Sequence, residues 1–179
     1  MPSEAAPATT VRPATAADLP AVGRLGALLV RLHHDFDPLR FIPAAPRTEQ
    51  MYASFLGSQL RERDVVVLVA EWEGRVLGYT YAGVEGYDYM SLRGPAGVLY
   101  DIVVDPERRG RGVGRQLLEA TVAALAERGA PRVVLSTAAR NEGAQRLFER
   151  AGFRRTMIEM TRELDDDTGK ERPPVRPRR

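Results

Sequence analysis

The chain has no cysteine, and only two histidines and one lysine among its 179 residues. Without cysteine there can be no disulfide, thiolate metal centre or cysteine nucleophile. With His33 and His34 as the only imidazoles, a histidine-rich zinc site is out of reach and a Ser-His-Asp hydrolase would have to use one of that pair. No serine sits in a Gly-x-Ser-x-Gly elbow. Long hydrophobic runs are missing too: none approaches the ~20 residues of a membrane span, and no basic segment followed by an apolar one opens the chain. A cytoplasmic protein without a membrane partner is therefore expected. Nor is there much charge of one sign. The net charge is +2, and residues 165–179 hold five basic and four acidic side chains, leaving 21 and 20 in residues 1–164. That balance lacks the basic excess of a nucleic-acid-binding body, so no nucleic-acid partner is expected.

What is present suits one domain. With 44% hydrophobic residues the chain can bury a core, and the apolar periodicity confines that core to residues 10–164. Residues 1–9 and the proline-containing, mixed-charge residues 165–179 are expected to be disordered. Thr15 and Asp18 have capping-box spacing, and Leu19, Val22, Leu25, Leu29 and Leu32 recur at helical intervals, predicting a helix over 16–32. A second helix is expected from Thr48, with Met51, Phe55, Leu56 and Leu60 facing inward. Two β-rich runs, 65–72 and 75–84, flank Glu73-Gly74 as a hairpin, with Trp72 packing at its end. Residues 97–104 read as a strand covered on both faces, interrupted by Asp101 on the side of Leu99 and Val103.

Beyond that strand, Val113, Leu117, Leu118, Thr121, Ala124 and Leu125 make a helical stripe ending at Gly129. A strand over 132–137 follows. Asn141 then caps a helix that turns Ala144, Leu147, Phe148 and Ala151 inward and stops at Gly152, and an alternating run over 154–164 predicts a last strand. A strand-helix-strand crossover makes 97–104 and 132–137 parallel neighbours. The expected class is α/β: a mixed, mostly antiparallel sheet with one parallel pair and about four helices.

The stretch PERRGRGVGRQL, residues 106–117, carries four arginines and three glycines. It fails as a P-loop, because Arg115 and Gln116 follow Gly114 where Lys and Ser/Thr are needed. It also fails as a dinucleotide fingerprint, because Gly110, Gly112 and Gly114 have the wrong spacing and five residues separate them from the strand. Two readings remain. Bare amides at a helix start could hold a pyrophosphate, with Arg109, Arg111 and Arg115 adding charge-assisted contacts; or the loop is a basic surface turn. The local pattern leaves both open.

RGRGVG, residues 109–114, is similar to the Arg/Gln-x-x-Gly-x-Gly/Ala signature of GNAT-type N-acetyltransferases. NEGAQRLFERAGF resembles a second segment of that family at Asn141, Ala144, Leu147, Gly152 and Phe153. The resemblance covers about residues 11–164 and implies acetyl-CoA as cosubstrate, with a splayed parallel strand pair to admit it. It implies that the amides of Arg109, Gly110, Arg111, Gly112, Val113 and Gly114 hold the pyrophosphate beside Arg115. The edge at Ile102, Val103 and Val104 would meet pantetheine, and Asn141 and Phe148 would line the coenzyme channel. The implied reaction moves acetyl to a primary amine of a small molecule or peptide by direct attack in a ternary complex. Asp101 is the candidate base, a structural carboxylate being the alternative. The family's tyrosine acid is replaced here by Phe148, which leaves Tyr81, Tyr87, Tyr89, Tyr100 or Ser136 as substitutes and keeps a catalytically weak acyl-CoA-binding regulator as the rival function. The acceptor site is expected around His34, Asp37, Tyr87 and Tyr100. With room for only one strand after Phe153, either the acceptor groove is more open or a second subunit completes the sheet edge as a homodimer.

Overall fold

Glu73 and Gly74 both take positive φ, 48° and 74°, the backbone a two-residue hairpin needs to match strand twist. They join β2 (Val65–Trp72) to β3 (Arg75–Glu85), paired from Val65 opposite Gly83 to Trp72 opposite Arg75. The protein is described by a computed structural model over residues 9–164; of the ends expected to be disordered, 1–9 and 165–179, all but residue 9 lie outside the described residues. β1 (Thr10–Pro13), β4 (Ala96–Val104) and β5 (Val133–Leu135) complete a five-stranded sheet in the order β1-β2-β3-β4-β5. Every pairing is antiparallel except β4 with β5.

Helices cover both faces. Helix α1 (Leu19–Phe36) and helix α2 (Thr48–Gln59) lie on the side of Val69, Tyr79 and Val103. Helix α3 (Val113–Glu127) buries Val113, Leu117, Leu118 and Leu125 against Val66, Leu68, Ala82 and Leu99, where Phe148 of helix α4 (Glu142–Arg150) joins them. One polar pair crosses this layer: Thr80 and Thr121, both fully buried, share a 2.7 Å hydroxyl bond, and Thr121 donates to the Leu117 carbonyl.

Strand β1 was not foreseen, being four residues that contain an arginine and a proline. An ion-pair network holds it. Arg12 reaches Asp18 at 2.8 Å and also Glu71 on β2, while Asp18 accepts from the Thr15 amide and hydroxyl. The guanidinium is the main reason the Asp18 carboxyl titrates low, at about 2.

Several inward assignments need correction. Met51 and Phe55 are 66% and 49% exposed, because α2 meets α1 through Tyr52 and Leu56 instead. Ala151 is exposed at the end of α4. The strand expected over 132–137 shortens to Val133–Leu135, since pairing with β4 stops at Leu99. The last strand does not form: residues 154–164 pair with nothing in the sheet and are exposed. Alternation supplies strand propensity but not a partner. Arg155 is bound to Gln145 and Glu149 on α4, and Glu159 to Arg40 after α1.

Candidate active site

Two strand irregularities shape the site. Tyr81 faces Asp101 while Ala82 faces Leu99, so Tyr100 is an extra residue, a β-bulge in β4. The bulge switches the alternation. Leu99 packs in the α3 layer, whereas Asp101 and Val103 face α1 and α2, so the expectation that Leu99 shares a face with Asp101 is corrected. On the other edge, β5 pairs only with Gly97, Val98 and Leu99. Beyond Leu99 the parallel strands part.

A cavity of about 300 Å³ fills the space where they diverge. Its walls are Leu99 to Ile102 of β4, Leu135 to Thr137 after β5, Asn141, Ala144 and Phe148 at α4, and His33, Phe41 and Tyr52 from the helical side. Among the described residues Asp101 is its one carboxylate. Tyr79 donates to Asp101 at 3.0 Å, and Tyr52 donates to the same group. Burial raises the Asp101 pKa above the ordinary carboxylate value, opposed by the Tyr79 bond, the charge of His33 and the Tyr52 bond. The carboxylate in turn holds Tyr52 and Tyr79 protonated, burial being the larger cause for both.

Gly26 on α1 makes room for this arrangement. A Cβ there would lie 2.2 Å from the Tyr52 ring, so only glycine lets the ring lie against α1 and reach Asp101. Tyr52 and Tyr79 were missed as site residues in the sequence, whereas His33 opens the loop expected to build the acceptor site, without a role of its own. A signal for His33 existed: it falls one turn after Leu29 on the inward stripe of α1, and its Nδ1 lies 2.9 Å from the Leu29 carbonyl.

The glycine-arginine loop begins where β4 ends. Asp105 caps a short 3-10 turn, Pro106–Arg108, by accepting from Glu107 N at 3.0 Å. Arg108 stacks over Trp72 at 5.1 Å, pinning the loop to the hairpin. Gly110 and Gly112 have φ of 76° and 81°, and nothing lies within 4 Å of a Cβ added at either. Gly112 precedes α3 with no side-chain cap, and the first helical bond runs from Gln116 N to Gly112 O. The amides of Val113, Gly114 and Arg115 thus open the helix without intrahelical acceptors, a donor set that fits an anion. Gly114 lies beside Val104 and Leu147, joining this cradle to the strand that lines the cavity. Arg109 and Arg111 are exposed, while Arg115 is engaged with Glu119 at 2.6 Å.

The remaining candidates divide. Asn141 lines the cavity and caps α4, accepting from Ala144 N at 3.2 Å. Phe148 is 5% exposed and packs edge-on against Phe153, with part of its ring on the cavity. Ile102 lines the cavity, but the side chains of Val103 and Val104 pack into the two cores. On the acceptor side Tyr100 is on the cavity wall, its ring tilted against Tyr81 at 4.7 Å between centroids, and its hydroxyl bonded to Glu85. His34 instead contacts the Phe41 carbonyl at 2.9 Å, and Asp37 accepts from Leu39 N and Arg40 N in a local turn. Tyr87 is 70% exposed and stacked on Tyr89. None of these three lines the cavity.

The structure thus combines a parallel strand pair that parts beyond Leu99 with an uncapped helix start beside Val104 of the same strand. The family model of the acetyltransferase (GNAT) family matches residues 29–153, and the chain belongs to that family. Among curated relatives, mycothiol acetyltransferase of Thermobispora bispora is 38% identical over 96 residues, covering 51% of this chain and 31% of the relative. The Cellulomonas flavigena protein of that name is 35% identical over 96 residues, covering 52% and 28%. The match thus spans under a third of these relatives' length. Among solved structures, a mutant of the BH1408 protein from Bacillus halodurans superposes with a TM-score of 0.75 at 22% identity, covering 87% of this chain and 99% of that one. The aminoglycoside N-acetyltransferase AAC(6')-Iy in complex with CoA superposes at 0.68 and 18% identity, covering 90% and 98%. At these identities the two structures establish the shared fold.

Proposed function

We propose that the chain transfers the acetyl group of acetyl-CoA to a primary amine of a small molecule or peptide, by direct attack in a ternary complex. The observation that supports this reading is that the uncapped start of α3 lies beside Val104, on the same strand that parts from β5 beyond Leu99 and lines the cavity at Tyr100 to Ile102. Amides of residues 109–114 hold the pyrophosphate, helped by Arg109 and Arg111. The free edge of β4 at Ile102 to Val104 meets the pantetheine amides, and Asn141 and Phe148 bound the channel.

The amine nitrogen forms a bond to the thioester carbon as the carbon-sulfur bond breaks and the thiolate departs. Asp101 receives the proton lost by the amine, directly or through water, a role suited to a carboxylate whose pKa burial has raised. Tyr52 and Tyr79 hold that carboxylate toward the cavity. Phe148 has no proton to give, so the thiolate leaves unassisted at that position. With a thiol pKa of ~8.5 this is tolerable near neutrality, at a cost of the 10²- to 10⁴-fold that acid help typically supplies. Tyr100 and His33 form the acceptor wall, with His34, Asp37 and Tyr87 set back from it.

The test is thiol release from acetyl-CoA across a panel of amino sugars, aminoglycosides, polyamines and peptides. Release above the uncatalysed rate with at least one amine is the expected result. Coenzyme binding without release across the whole panel would favour the rival reading, an acyl-CoA-binding regulator, for which Phe148 is the motivating residue.

A further inference from the structure

The half of the cavity that the coenzyme leaves free is walled mainly by carbon. In the acetyl-transfer reading Asn141 and Phe148 belong to the coenzyme. On the helical side the wall is Leu29, Val30 and His33 of α1, Tyr52 of α2, and Phe41 and Ile42 of the segment between the two helices. Phe41 is fastened to α1 twice. Its ring meets His33 edge-on at 5.0 Å, and its carbonyl lies 2.9 Å from His34 Nδ1. A carbonyl only accepts, so that nitrogen carries the hydrogen and His34, set back from the cavity, holds the wall in place. Ile42 follows at 76% exposure and carries the apolar surface out into solvent.

Negative charge is scarce around this wall. Among the described residues Asp101 is the only carboxylate lining the cavity, and the acids attached to adjoining segments are already engaged. Glu85 is bound by Arg93 and by the Tyr100 hydroxyl. Glu159 is bound by Arg40, which itself lies over the Phe41 ring at 5.0 Å, and Asp37 accepts from the Leu39 and Arg40 amides. One ammonium can therefore be neutralised at Asp101, whereas a second cation on the same molecule would lie among apolar side chains without a counter-ion. The volume of about 300 Å³ is also at the small end of ligand cavities, ~300–1,000 Å³, which suits one chain or ring beside the acetyl group and not a set of linked sugars.

We propose that the acceptor is a primary monoamine on an apolar chain or ring, its nitrogen at Asp101 and its body along Val30, Phe41 and Ile42. The assignment rests on the acetyl-transfer reading and narrows it, since polyamines and aminoglycosides become poor acceptors. Hydrocarbon that leaves water for this wall strengthens binding, so each methylene that reaches it raises kcat/KM about fourfold.

The test is thiol release from acetyl-CoA by the full chain with propylamine, butylamine, pentylamine and hexylamine, and with 1,5-diaminopentane, which replaces the terminal methyl of hexylamine by an ammonium. Expected are a rise of about fourfold per added carbon and a kcat/KM for hexylamine at least about tenfold above that of the diamine. Ile42→Asp, at an exposed site, supplies the missing counter-ion and is expected to narrow that ratio about fivefold with an unchanged melting temperature. A flat length series, a diamine as good as hexylamine, or a ratio indifferent to Ile42→Asp would each overturn the monoamine assignment and leave acetyl transfer standing. No release with any amine would instead overturn acetyl transfer. Calorimetric titration of the coenzyme A-bound protein then decides the cavity: hexylamine binding about tenfold tighter than the diamine upholds the assignment, and equal affinities or no binding of either overturn it.

Discussion

Gly112→Glu is the sharpest probe of the anion cradle, because the fold supplies its own control. Gly112 has φ of 81° and nothing within 4 Å of an added Cβ; Gly129, just past the other end of α3, has φ of 83° and equally open space. Glutamate at either position costs roughly 1–2 kcal/mol for the left-handed backbone. That cost falls on the folded protein whether or not ligand is bound, so it should lower the melting point of both variants similarly without entering the dissociation constant. Only at Gly112 does the new carboxylate face the proposed pyrophosphate. A unit charge at ~5 Å from one phosphate charge is worth about 1 kcal/mol at the dielectric of water and about 3 kcal/mol at an effective value near 20. Coenzyme A should therefore bind Gly112→Glu roughly 5- to 150-fold more weakly than wild type. The Gly129→Glu site lies roughly 22 Å away along a 15-residue helix, beyond the ~8–10 Å screening length, and should bind as wild type does. Calorimetric titration with coenzyme A at 0.1 M salt, beside thermal melts, measures both quantities. Equal affinity in all three proteins would refute the cradle, and so would equal weakening in both variants, since the effect would then not be specific to the start of α3.

Asp101→Asn should lower turnover with the responsive amine by at least tenfold while changing coenzyme affinity little. In the wild type, activity should rise with pH through an apparent pKa above the ordinary carboxylate range, because the base works only when deprotonated and burial raises its pKa; a pH-rate profile unchanged in the variant would demote Asp101 to scaffold. Gly26→Ala should impair the site through Tyr52, since its Cβ would fall 2.2 Å from that ring; kcat is expected to fall with coenzyme affinity retained, and unchanged kinetics would show that the ring's seat does not matter. Thr121→Val should destabilise the fold by about 1–3 kcal/mol by stranding the buried Thr80 hydroxyl, and adding Thr80→Val should recover part of that loss; strictly additive losses in urea unfolding would contradict a shared bond. Asp18 has its pKa depressed to about 2 by Arg12, so its contribution of about 2 kcal/mol is present above pH 4 and lost as the pH falls toward 2; Asp18→Asn should flatten that acid limb, and an unaltered limb would count against the ion pair.

The elements readable in the sequence were those whose cause is local. Glu73-Gly74 specifies a tight turn, Thr15 with Asp18 and Asn141 with Ala144 specify helix starts, and the glycines at 110 and 112 mark the loop before α3. Strand β1 escaped because its stabilisation comes from Asp18 and Glu71, the second of them 59 residues away. The inward face of α2 was misread because its partner surface is set by Gly23 and Gly26 on α1, which admit Ala53 and Tyr52 closely.

The candidate site divides along the same line. The coenzyme loop is a contiguous run, so its amides, glycines and helix start were all visible in twelve consecutive letters, and Asp101 stood out as a carboxylate inside an apolar strand. What surrounds Asp101 was decided in three dimensions. One bulged residue, Tyr100, turns that carboxylate toward α1 and α2, where Tyr52, Tyr79 and His33 converge on it from three separate elements. The helical phase of α1 selects His33 over His34 for the cavity. Backbone propensity and capping act over a few residues and are written in the chain order; which side chains meet across a cavity depends on strand register and helix contact, which exist only once distant segments have packed.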